Sequence, residues 1–147
     1  MARIIEPQSF KDNRGELVTY DHGLYAFRHS YYSVSKKGVL RGMHNQKNTA
    51  KLVYVLKGKI LDVSINPKTG HMVSVELSDK NKKAVLIPGN WFHGFVALED
   101  ATVHYLQTRK YHPKDELGIR YDSFGFTWPK KLIISQRDEN FVSYPDL

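Results

Sequence analysis

The stretch that decides the fold runs from residue 51 to residue 66 and contains two β-type segments separated by a turn. It reads Lys-Leu-Val-Tyr-Val-Leu (51–56), Lys-Gly-Lys (57–59) and Ile-Leu-Asp-Val-Ser-Ile-Asn (60–66). Because successive residues of a strand point to opposite faces, Leu61, Val63 and Ile65 share one face, and the residues between them, which include Asp62, share the other. Aliphatic β-branched and aromatic residues favour strands. The stretch therefore predicts two consecutive β-strands.

Similar segments continue along the chain, at 73–77, 84–87, 92–98 and 102–108. Turn residues separate them, such as Pro-Lys-Thr-Gly at 67–70 and Pro-Gly-Asn at 88–90. We expect the last two segments to form a hairpin around Glu99-Asp100, and a short helical turn near 113–116. Short strands cut by turns about every ten residues are typical of a sandwich or barrel. No long window has a helical period, so the sequence predicts a single all-β domain.

Composition narrows the class of protein. The chain has 147 residues, of which 41% are hydrophobic and 25% charged, as in one ordinary folded domain. The absence of cysteine excludes disulfides and thiolate metal sites and suits a reducing cytoplasm. Glu6 and Pro7 interrupt the first apolar residues, and no apolar run approaches the roughly 20 residues that a membrane span needs. We expect a cytoplasmic protein with no membrane contact.

The formal net charge of +7 and the pI near 9.5 favour an anionic partner. Lysines occur in pairs at predicted turns, at 36–37, 82–83 and 130–131, and not along one stripe. Such pairs are more typical of solvated edges than of a DNA-binding surface. Charge alone leaves nucleic acid and a phosphorylated or nucleotide-linked metabolite open as partners.

Polar residues on predicted strands are the candidates for chemistry, because a closed barrel must satisfy its inward polar groups or use them. They are His44, Lys51, Asp62, His93 and Tyr105. Taken singly, each has an ordinary explanation as a packing or hydrogen-bonded residue. Together they permit two kinds of site, a metal centre or a metal-free acid–base site.

A metal site is disfavoured by the spacing of the histidines. Small metal-binding barrels usually carry two histidines one residue apart with a carboxylate a few positions later. Here Gln46 stands two positions after His44, and no His-x-His occurs in the chain. We therefore expect no metal and no cofactor.

An acid–base site acting beside a carbonyl group needs a base, an acid and a cation. The base removes a proton next to the carbonyl, the cation stabilises the enolate oxygen, and the acid returns a proton to the opposite face. Histidines ordinarily titrate at about pH 6.5 and tyrosines at about pH 10, which suits them to the base and acid roles respectively. A histidine, a lysine and a tyrosine are thus the smallest set of side chains that can carry out an epimerisation.

Several motifs in order along almost the whole chain closely resemble those of dTDP-4-dehydrorhamnose 3,5-epimerases. The most specific are Arg41-Gly42-Met43-His44-x-Gln46 and His93-Gly94-Phe95. The remaining matches are Asp12-Asn13-Arg14-Gly15, Ser33-x-Ser35, Lys51-Leu52-Val53, Gly58-x-x-x-Asp62-Val63, Ile87-Pro88, Tyr105 with Thr108 and Tyr111, Pro113-x-x-Glu116, Trp128-Pro129 and Ser135-x-x-Asp138.

The resemblance implies a jelly-roll barrel of the cupin type, a homodimer, and an isomerase that works without a metal. The implied substrate is dTDP-4-keto-6-deoxyglucose, inverted at C3 and C5 on the route to dTDP-L-rhamnose. The C-terminal segment, from about 112 to 147, would pack beside the barrel. At the matching positions His44 resembles the base, Asp138 the carboxylate that orients it, and Tyr105 the acid. Lys51 would stand near the C4 oxygen.

The resemblance also implies a set of substrate-binding residues. Arg41 and Arg14 would meet the pyrophosphate, Arg14 from the partner subunit. Tyr111 would pack on the nucleotide base. The remaining pocket residues are Gln46, Asp62, His93 and Tyr31. Glu116 matches a family position to which we assign no chemistry.

Several positions depart from the family pattern. The stretch between Arg14 and Ser33 is shorter than usual, and Leu17 and Thr19 replace larger aromatic and acidic residues. Tyr31 replaces an asparagine that ordinarily helps to hold the substrate, and His29 replaces a glutamine. Such a pocket leaves open a different nucleotide sugar, or inversion at C3 alone.

Three other functions remain alternatives. A sugar 3,4-ketoisomerase typically carries a further histidine where Gln46 stands. A non-catalytic nucleotide-sugar-binding barrel would not need an acid and a base. A nucleic-acid-binding barrel would show exposed aromatics interleaved with arginines, and no predicted strand does.

Overall fold

The computed structural model describes residues 1–23 and 25–144 and confirms the all-β prediction. The strands are β1 (Arg3–Ile5), β2 (Gln8–Asp12), β3 (Gly15–Thr19), β4 (His29–Ser35), β5 (Val39–Gln46), β6 (Lys51–Lys57), β7 (Lys59–Ile65), β8 (Met72–Ser78), β9 (Ala84–Ile87), β10 (Phe92–Ala97), β11 (Ala101–Gln107), β12 (Glu116–Gly118) and β13 (Ile133–Ile134). A 3₁₀ turn, Pro113–Asp115, occupies the position of the expected helical turn, and the short helix α1 is Gln136–Glu139.

Two sheets form the body of the molecule. The first has the strand order β1-β9-β6-β11-β4, and the second has the order β12-β5-β10-β7-β8, with β13 added parallel to β5. The other pairings between these strands are antiparallel, and an isolated parallel bridge joins Ile119 to Val142. Strands β2 and β3 form a separate two-stranded sheet.

The expected hairpin around Glu99-Asp100 is wrong. Strand β10 lies in the second sheet between β5 and β7, whereas β11 lies in the first sheet between β6 and β4. Because β5 and β7 already occupy both edges of β10, no edge is free for β11, and residues 98–100 carry the chain from one sheet to the other. Residues 57–59 make the same crossing between β6 and β7.

The space between the sheets is apolar at one end and polar at the other. Register explains this, since β11 and β6 pair Val103 with Val55 and, four residues further along β11, Gln107 with Lys51. Side chains of the apolar end include Val53, Val55, Ile60, Leu77, Val85, Phe95 and Val103. The polar end is the open space that the functional site occupies.

The other face of the second sheet is covered by residues that follow β12. Val63 and Ile65 pack there with Phe92, against a group of partly buried aromatic side chains. That group is Phe124, Phe126, Trp128 and Tyr144. Both faces of β10 are therefore buried.

The N-terminal hairpin and strand β4 leave apolar side chains and backbone edges open. Phe10 and Leu17 of the hairpin are 58% and 63% exposed, and Tyr32 of β4 is 68% exposed. Among the described residues strand β4 pairs only with β11, so no described strand occupies its other edge. Within residues 1–23 and 25–144, no helix has the length and apolar character to cross a membrane.

Candidate active site

Two pockets that share three lining residues lie at the polar end of the barrel, and we call them the first and second lobes of one cavity. Tyr31, His44 and Lys51 line both lobes. The remaining side chains of the first lobe are Ser33, Arg41, His93, Phe95 and Tyr105. The remaining side chains of the second lobe are Asn45, Gln46, Gln107, Tyr111, Glu116 and Arg137.

His44 is held from behind by Asp138 of helix α1. The Asp138 Oδ1 atom lies 2.7 Å from His44 Nε2, and Oδ2 accepts a hydrogen bond of 3.1 Å from the backbone N–H of Gly42. Burial alone would raise the pKa of the Asp138 carboxyl, but the hydrogen bond from His44, its charge and the Gly42 N–H lower it on balance. Asp138 is therefore an anion that fixes the imidazole ring.

The occupied Nε2 atom leaves His44 Nδ1 as the candidate base. Nδ1 forms no hydrogen bond with any residue in 1–23 or 25–144, and the side chain is 24% exposed. A carboxylate that accepts a proton from one imidazole nitrogen leaves the other with a free lone pair. The ring can thus accept a proton from a molecule in the cavity.

A bulge in β5 brings His44 and Arg41 to the same cavity. Two residues three positions apart on a regular strand point to opposite faces. Here His44 pairs with His93, and Arg41 pairs with Phe95, so β5 has one residue more than β10 over this interval. Gly42, at φ 145°, permits the bulge, because a β-carbon there would lie 2.6 Å from the α-carbon of Gly94.

Lys51 lies at the start of β6, opposite Gln107 of β11. Burial lowers the pKa of its ammonium group, and the charges of Glu116 and Asp62 oppose that effect. The ammonium group is the cation that lines both lobes. It can therefore stabilise negative charge on a ligand oxygen anywhere near the middle of the cavity.

Tyr105 lies on β11 and lines the first lobe. Its hydroxyl is 2.9 Å from the Ser33 hydroxyl of β4. Burial raises its pKa above the ordinary value of 10.0, while the Ser33 hydrogen bond and the charge of Arg41 oppose that rise. The phenol therefore keeps its proton at neutral pH and can act as an acid.

His93 and Asp62 form a buried pair on neighbouring strands. The Asp62 Oδ2 atom lies 2.6 Å from His93 Nε2, and both side chains are almost fully buried. His93 lines the first lobe, and Asp62 lies behind it. This pair resembles His44 and Asp138, but the His93 side chain is only 6% exposed, and Asp62 Oδ1 has no hydrogen-bond partner among the described residues.

A chain of polar contacts forms the rim of the second lobe. The Tyr111 hydroxyl donates to Glu116 Oε2, and Glu116 Oε1 lies 3.2 Å from Arg137 Nη2. The same Arg137 nitrogen is 3.1 Å from His44 Nε2, and Arg137 Nε is 3.5 Å from Asp138 Oδ1. Arg137 thus connects the rim to the His44–Asp138 pair.

The structure brings together almost all of the predicted site residues. Those that line the cavity or support a residue that does are His44, Tyr105, Lys51, Asp138, Arg41, Gln46, Asp62, His93, Tyr111 and Tyr31. Arg14 lies elsewhere in the chain, on the N-terminal hairpin, where Nε donates a 3.0 Å bond to Asp12 Oδ2. No three His, Asp or Glu side chains in residues 1–23 and 25–144 converge as metal ligands.

Sequence reasoning missed Arg137, Gln107 and Ser33 as site residues, and gave Glu116 no role. The signal for Ser33 is strand alternation, since it is two residues after Tyr31 on β4. The signal for Gln107 is its position two residues after Tyr105. Arg137 lies on the short helix α1, and Glu116 begins the three-residue strand β12 opposite Gln46. Neither segment is long enough to show a pattern in the sequence, so only the folded chain places these side chains at the cavity.

With this geometry established, comparison with known proteins identifies the family. The family model described as dTDP-4-dehydrorhamnose 3,5-epimerase matches residues 2–146. The chain belongs to this family of isomerases. Among curated relatives, the dTDP-4-dehydrorhamnose 3,5-epimerase of Methanothermobacter thermautotrophicus is 38% identical over 162 aligned residues, covering 95% of this chain and 88% of the relative.

Solved structures of epimerases confirm the cupin-type jelly roll. The Legionella pneumophila 3,5-epimerase, in complex with dTDP-4-keto-L-rhamnose, is 32% identical with a TM-score of 0.88, covering 98% of this chain and 88% of that one. ChmJ, a 3'-monoepimerase from Streptomyces bikiniensis in complex with dTDP-quinovose, is 25% identical with a TM-score of 0.90, covering 98% and 84%. Relatives of this fold therefore include a double and a single epimerase.

Proposed function

We propose that the protein epimerises dTDP-4-keto-6-deoxyglucose at C3, one of the two carbons beside the C4 carbonyl group. The other carbon beside that group, C5, is the second candidate for inversion. The observation that carries the proposal is that His44, Lys51 and Tyr105 line one cavity, which supplies a base, a cation and an acid together. Membership of the epimerase family supports the same chemistry. The complexes of two relatives with dTDP-sugars support a nucleotide sugar as the ligand.

The reaction begins with proton removal by His44. Nδ1 accepts the proton from the carbon beside C4, and the electron pair of the C–H bond moves to the C4 oxygen, which becomes an enolate. Asp138 remains ionised, because its lowered pKa keeps it anionic, and it stabilises the imidazolium that forms. Positioned proton transfer of this kind typically contributes about 10²–10⁴-fold to the rate.

Lys51 stabilises the enolate, and Tyr105 completes the inversion. The ammonium group of Lys51 provides a positive charge at a site from which burial has removed most solvent, where such a charge acts strongly. Tyr105 then gives its phenolic proton to the same carbon from the opposite face and becomes a phenolate. Solvent returns a proton to Tyr105 and takes one from His44, which restores both groups.

The nucleotide diphosphate requires cationic groups at the cavity mouth. Arg41 is in the first lobe, where its Nε donates a 2.9 Å hydrogen bond to Ser35 Oγ and part of its guanidinium remains exposed. A guanidinium offers phosphate a planar fork of donors and keeps its charge at any relevant pH. Tyr111, at the rim of the second lobe, has an exposed ring that can pack on a nucleotide base. Gln46 and His93 also line the cavity.

We also propose a homodimer in which the hairpin β2–β3 of one subunit pairs with the free edge of β4 of the other. A two-stranded hairpin is marginally stable alone, and an open strand edge invites pairing. The exposed side chains Phe10, Leu17 and Tyr32 would become covered. Because β4 carries Tyr31 and Ser33 into the cavity, a hairpin beside it would bring the partner's Arg14 to the same site.

We propose that the whole chain is one domain, with residues from about 112 onward packing beside the barrel. The contacts of Phe124, Phe126 and Trp128 with the second sheet support this. Limited proteolysis that released a stable fragment lacking those residues would contradict it. We also propose a cytoplasmic location, since dTDP-sugars are built from nucleoside triphosphates inside cells, and cell fractionation tests it.

The decisive experiment follows hydrogen exchange in deuterated water. The protein is incubated with dTDP-4-keto-6-deoxyglucose, and deuterium at C3 and C5 is measured by NMR. Exchange at one or both carbons, lost in a His44→Ala variant, is the expected result. An absence of exchange at both carbons would show that the substrate is wrong, and exchange at the wild-type rate in the variant would show that the base is wrong.

A further inference from the structure

Tyr31 stands where the two lobes of the cavity meet. It lines both lobes, whereas Tyr105 lines only the first. The two rings are cross-strand partners on β4 and β11 and stack almost in parallel, with centroids 4.4 Å apart and an angle of 10° between the ring planes. The Tyr31 ring therefore covers one face of the Tyr105 ring.

Hydrogen bonds fix both members of this stacked pair. The Tyr31 hydroxyl donates to Gln107 Oε1 at 2.8 Å, and Gln107, which is fully buried, donates in turn from Nε2 to the backbone oxygen of Arg109 at 3.1 Å. The Tyr105 hydroxyl is bonded to Ser33, which lines the first lobe only. The Tyr31 ring fills the space against one face of the Tyr105 ring, so Tyr105 cannot turn into that space.

The base and the cation are not restricted in this way. His44 and Lys51 line both lobes, so both carbons that flank a C4 carbonyl are within their reach when that carbonyl lies between the lobes. The acid, Tyr105, lines the first lobe alone. The base that removes a proton thus lines both lobes, whereas the acid that returns one lines a single lobe.

We propose that Tyr31 is a positioning residue that confines the phenol of Tyr105 to the first lobe and limits inversion to one of the two carbons beside C4. This inference rests on the proposed function. At the carbon facing the first lobe, His44 takes the proton and Tyr105 returns one to the opposite face. At the other carbon, His44 takes a proton and returns a solvent-derived proton to the same face, so hydrogen exchanges without inversion.

The test compares inversion with exchange at both carbons in wild-type protein and in Tyr31→Leu. Wild-type protein with dTDP-4-keto-6-deoxyglucose in deuterated water should exchange at both carbons and yield, by NMR, a product inverted at one carbon only. In Tyr31→Leu the Tyr105 ring gains room, and inversion at the second carbon relative to the first should rise about tenfold or more, equivalent to about 1.4 kcal/mol in relative barriers. Wild-type protein that inverts both carbons at similar rates would overturn the proposal.

Two matched variants separate stacking from other effects. Tyr31→Phe keeps the stacked ring and loses only the bond to Gln107, so its inversion ratio should stay within about threefold of wild type. Tyr25→Leu removes a ring from another stacked pair, Tyr25 with Phe27, outside the cavity, and should leave the ratio unchanged. A ratio that shifts in Tyr31→Phe as much as in Tyr31→Leu, or in neither, would overturn the role of the stack.

A double variant shows whether Tyr31 acts through Tyr105. In a Tyr105→Phe background, which lacks the acid, exchange by His44 should continue while inversion is lost, and the further change Tyr31→Leu should not produce inversion at the second carbon. Inversion at the second carbon in the double variant would mean that Tyr31→Leu acts without Tyr105 and would overturn the proposal. A wild-type protein without exchange at either carbon would instead refute the proposed function, so the two failures are distinct.

Discussion

The carboxylate of Asp138 lies 2.7 Å from Nε2 of His44, although 94 positions separate the two residues in the chain. Its second oxygen accepts the backbone N–H of Gly42, in the same strand as His44. Asp138 therefore needs both of its oxygens as acceptors. Because both oxygens act as acceptors, Asp138 holds the imidazole ring in one orientation and favours the tautomer that has its proton on Nε2 and leaves Nδ1 free.

Asp138→Asn should lower kcat by about 10²-fold, and His44→Ala by about 10²–10⁴-fold. An asparagine has one acceptor oxygen and one amide group, so it must either leave the Gly42 N–H unpaired or donate to His44 Nε2 and place the proton on Nδ1. Neither change touches the nucleotide, so affinity for dTDP, measured by calorimetry, should stay constant. His71→Ala, a change of an exposed histidine outside the cavity, is the control. Full activity in Asp138→Asn would refute the orienting role.

The alkaline limb of kcat/KM should belong to Lys51. Burial lowers its pKa below 10.5, whereas burial raises that of Tyr105 above 10.0, so Lys51 loses its proton first as pH rises. The limb should therefore lie below pH 10.5 and move upward in Lys51→Arg, because a guanidinium stays protonated above pH 12 or so. The pH–rate profile measures this. Lys59→Arg is the control, and a limb at the same pH in Lys51→Arg would contradict the assignment.

Lys51 should also reduce the stability of the fold. With its pKa lowered in the folded state, the unfolded chain binds more protons at pH values between the folded pKa and 10.5, so the free energy of unfolding rises with pH there. The penalty is present below the folded pKa and is lost as pH rises toward 10.5. Lys51→Met should thus raise Tm at pH 7 by about 2–4 °C, which is about 1 kcal/mol for a chain this long, while abolishing turnover.

Thermal unfolding at several pH values tests this trade-off. The difference in Tm between Lys51→Met and wild type should shrink as pH rises toward 10.5. Lys59→Met removes a partly exposed lysine that forms a surface ion pair with Glu99 at 3.7 Å, and should change Tm little. A lower Tm in Lys51→Met at pH 7 would show that the ammonium group stabilises the fold.

The strands were predictable because their pattern is local. The segments 84–87 and 51–56 match β9 and β6 to within one residue, since alternation and turn residues act over a few positions. The crossing at 98–100 was not predictable, because it depends on β10 already having neighbours on both edges. A turn of the same length can join two strands of one sheet or carry the chain to another.

The candidate site likewise contains some residues that the sequence pattern predicts and others that it does not. Lys51 and Tyr105 follow from alternation on β6 and β11, whereas His44 and Arg41 share a cavity only because β5 bulges at Gly42 against Gly94. No rule of spacing along the sequence predicts the close contact between Gly42 and Gly94. Nor does the sequence show that Tyr31 stacks on Tyr105, which needs the register of β4 against β11.

The position of Arg14 on the hairpin leads to a prediction about subunit exchange. If the partner's Arg14 serves each cavity, a purified heterodimer of Arg14→Ala and His44→Ala subunits, carrying different tags, has one intact site. The Arg14→Ala subunit keeps its own His44 and receives an intact arginine from its partner. The heterodimer should then show about half of the wild-type activity, although each homodimer is nearly inactive. With Arg14 serving its own subunit, neither site would be intact and no activity would return. Arg28→Ala in place of Arg14→Ala controls for loss of positive charge near β4, and its homodimer should stay active.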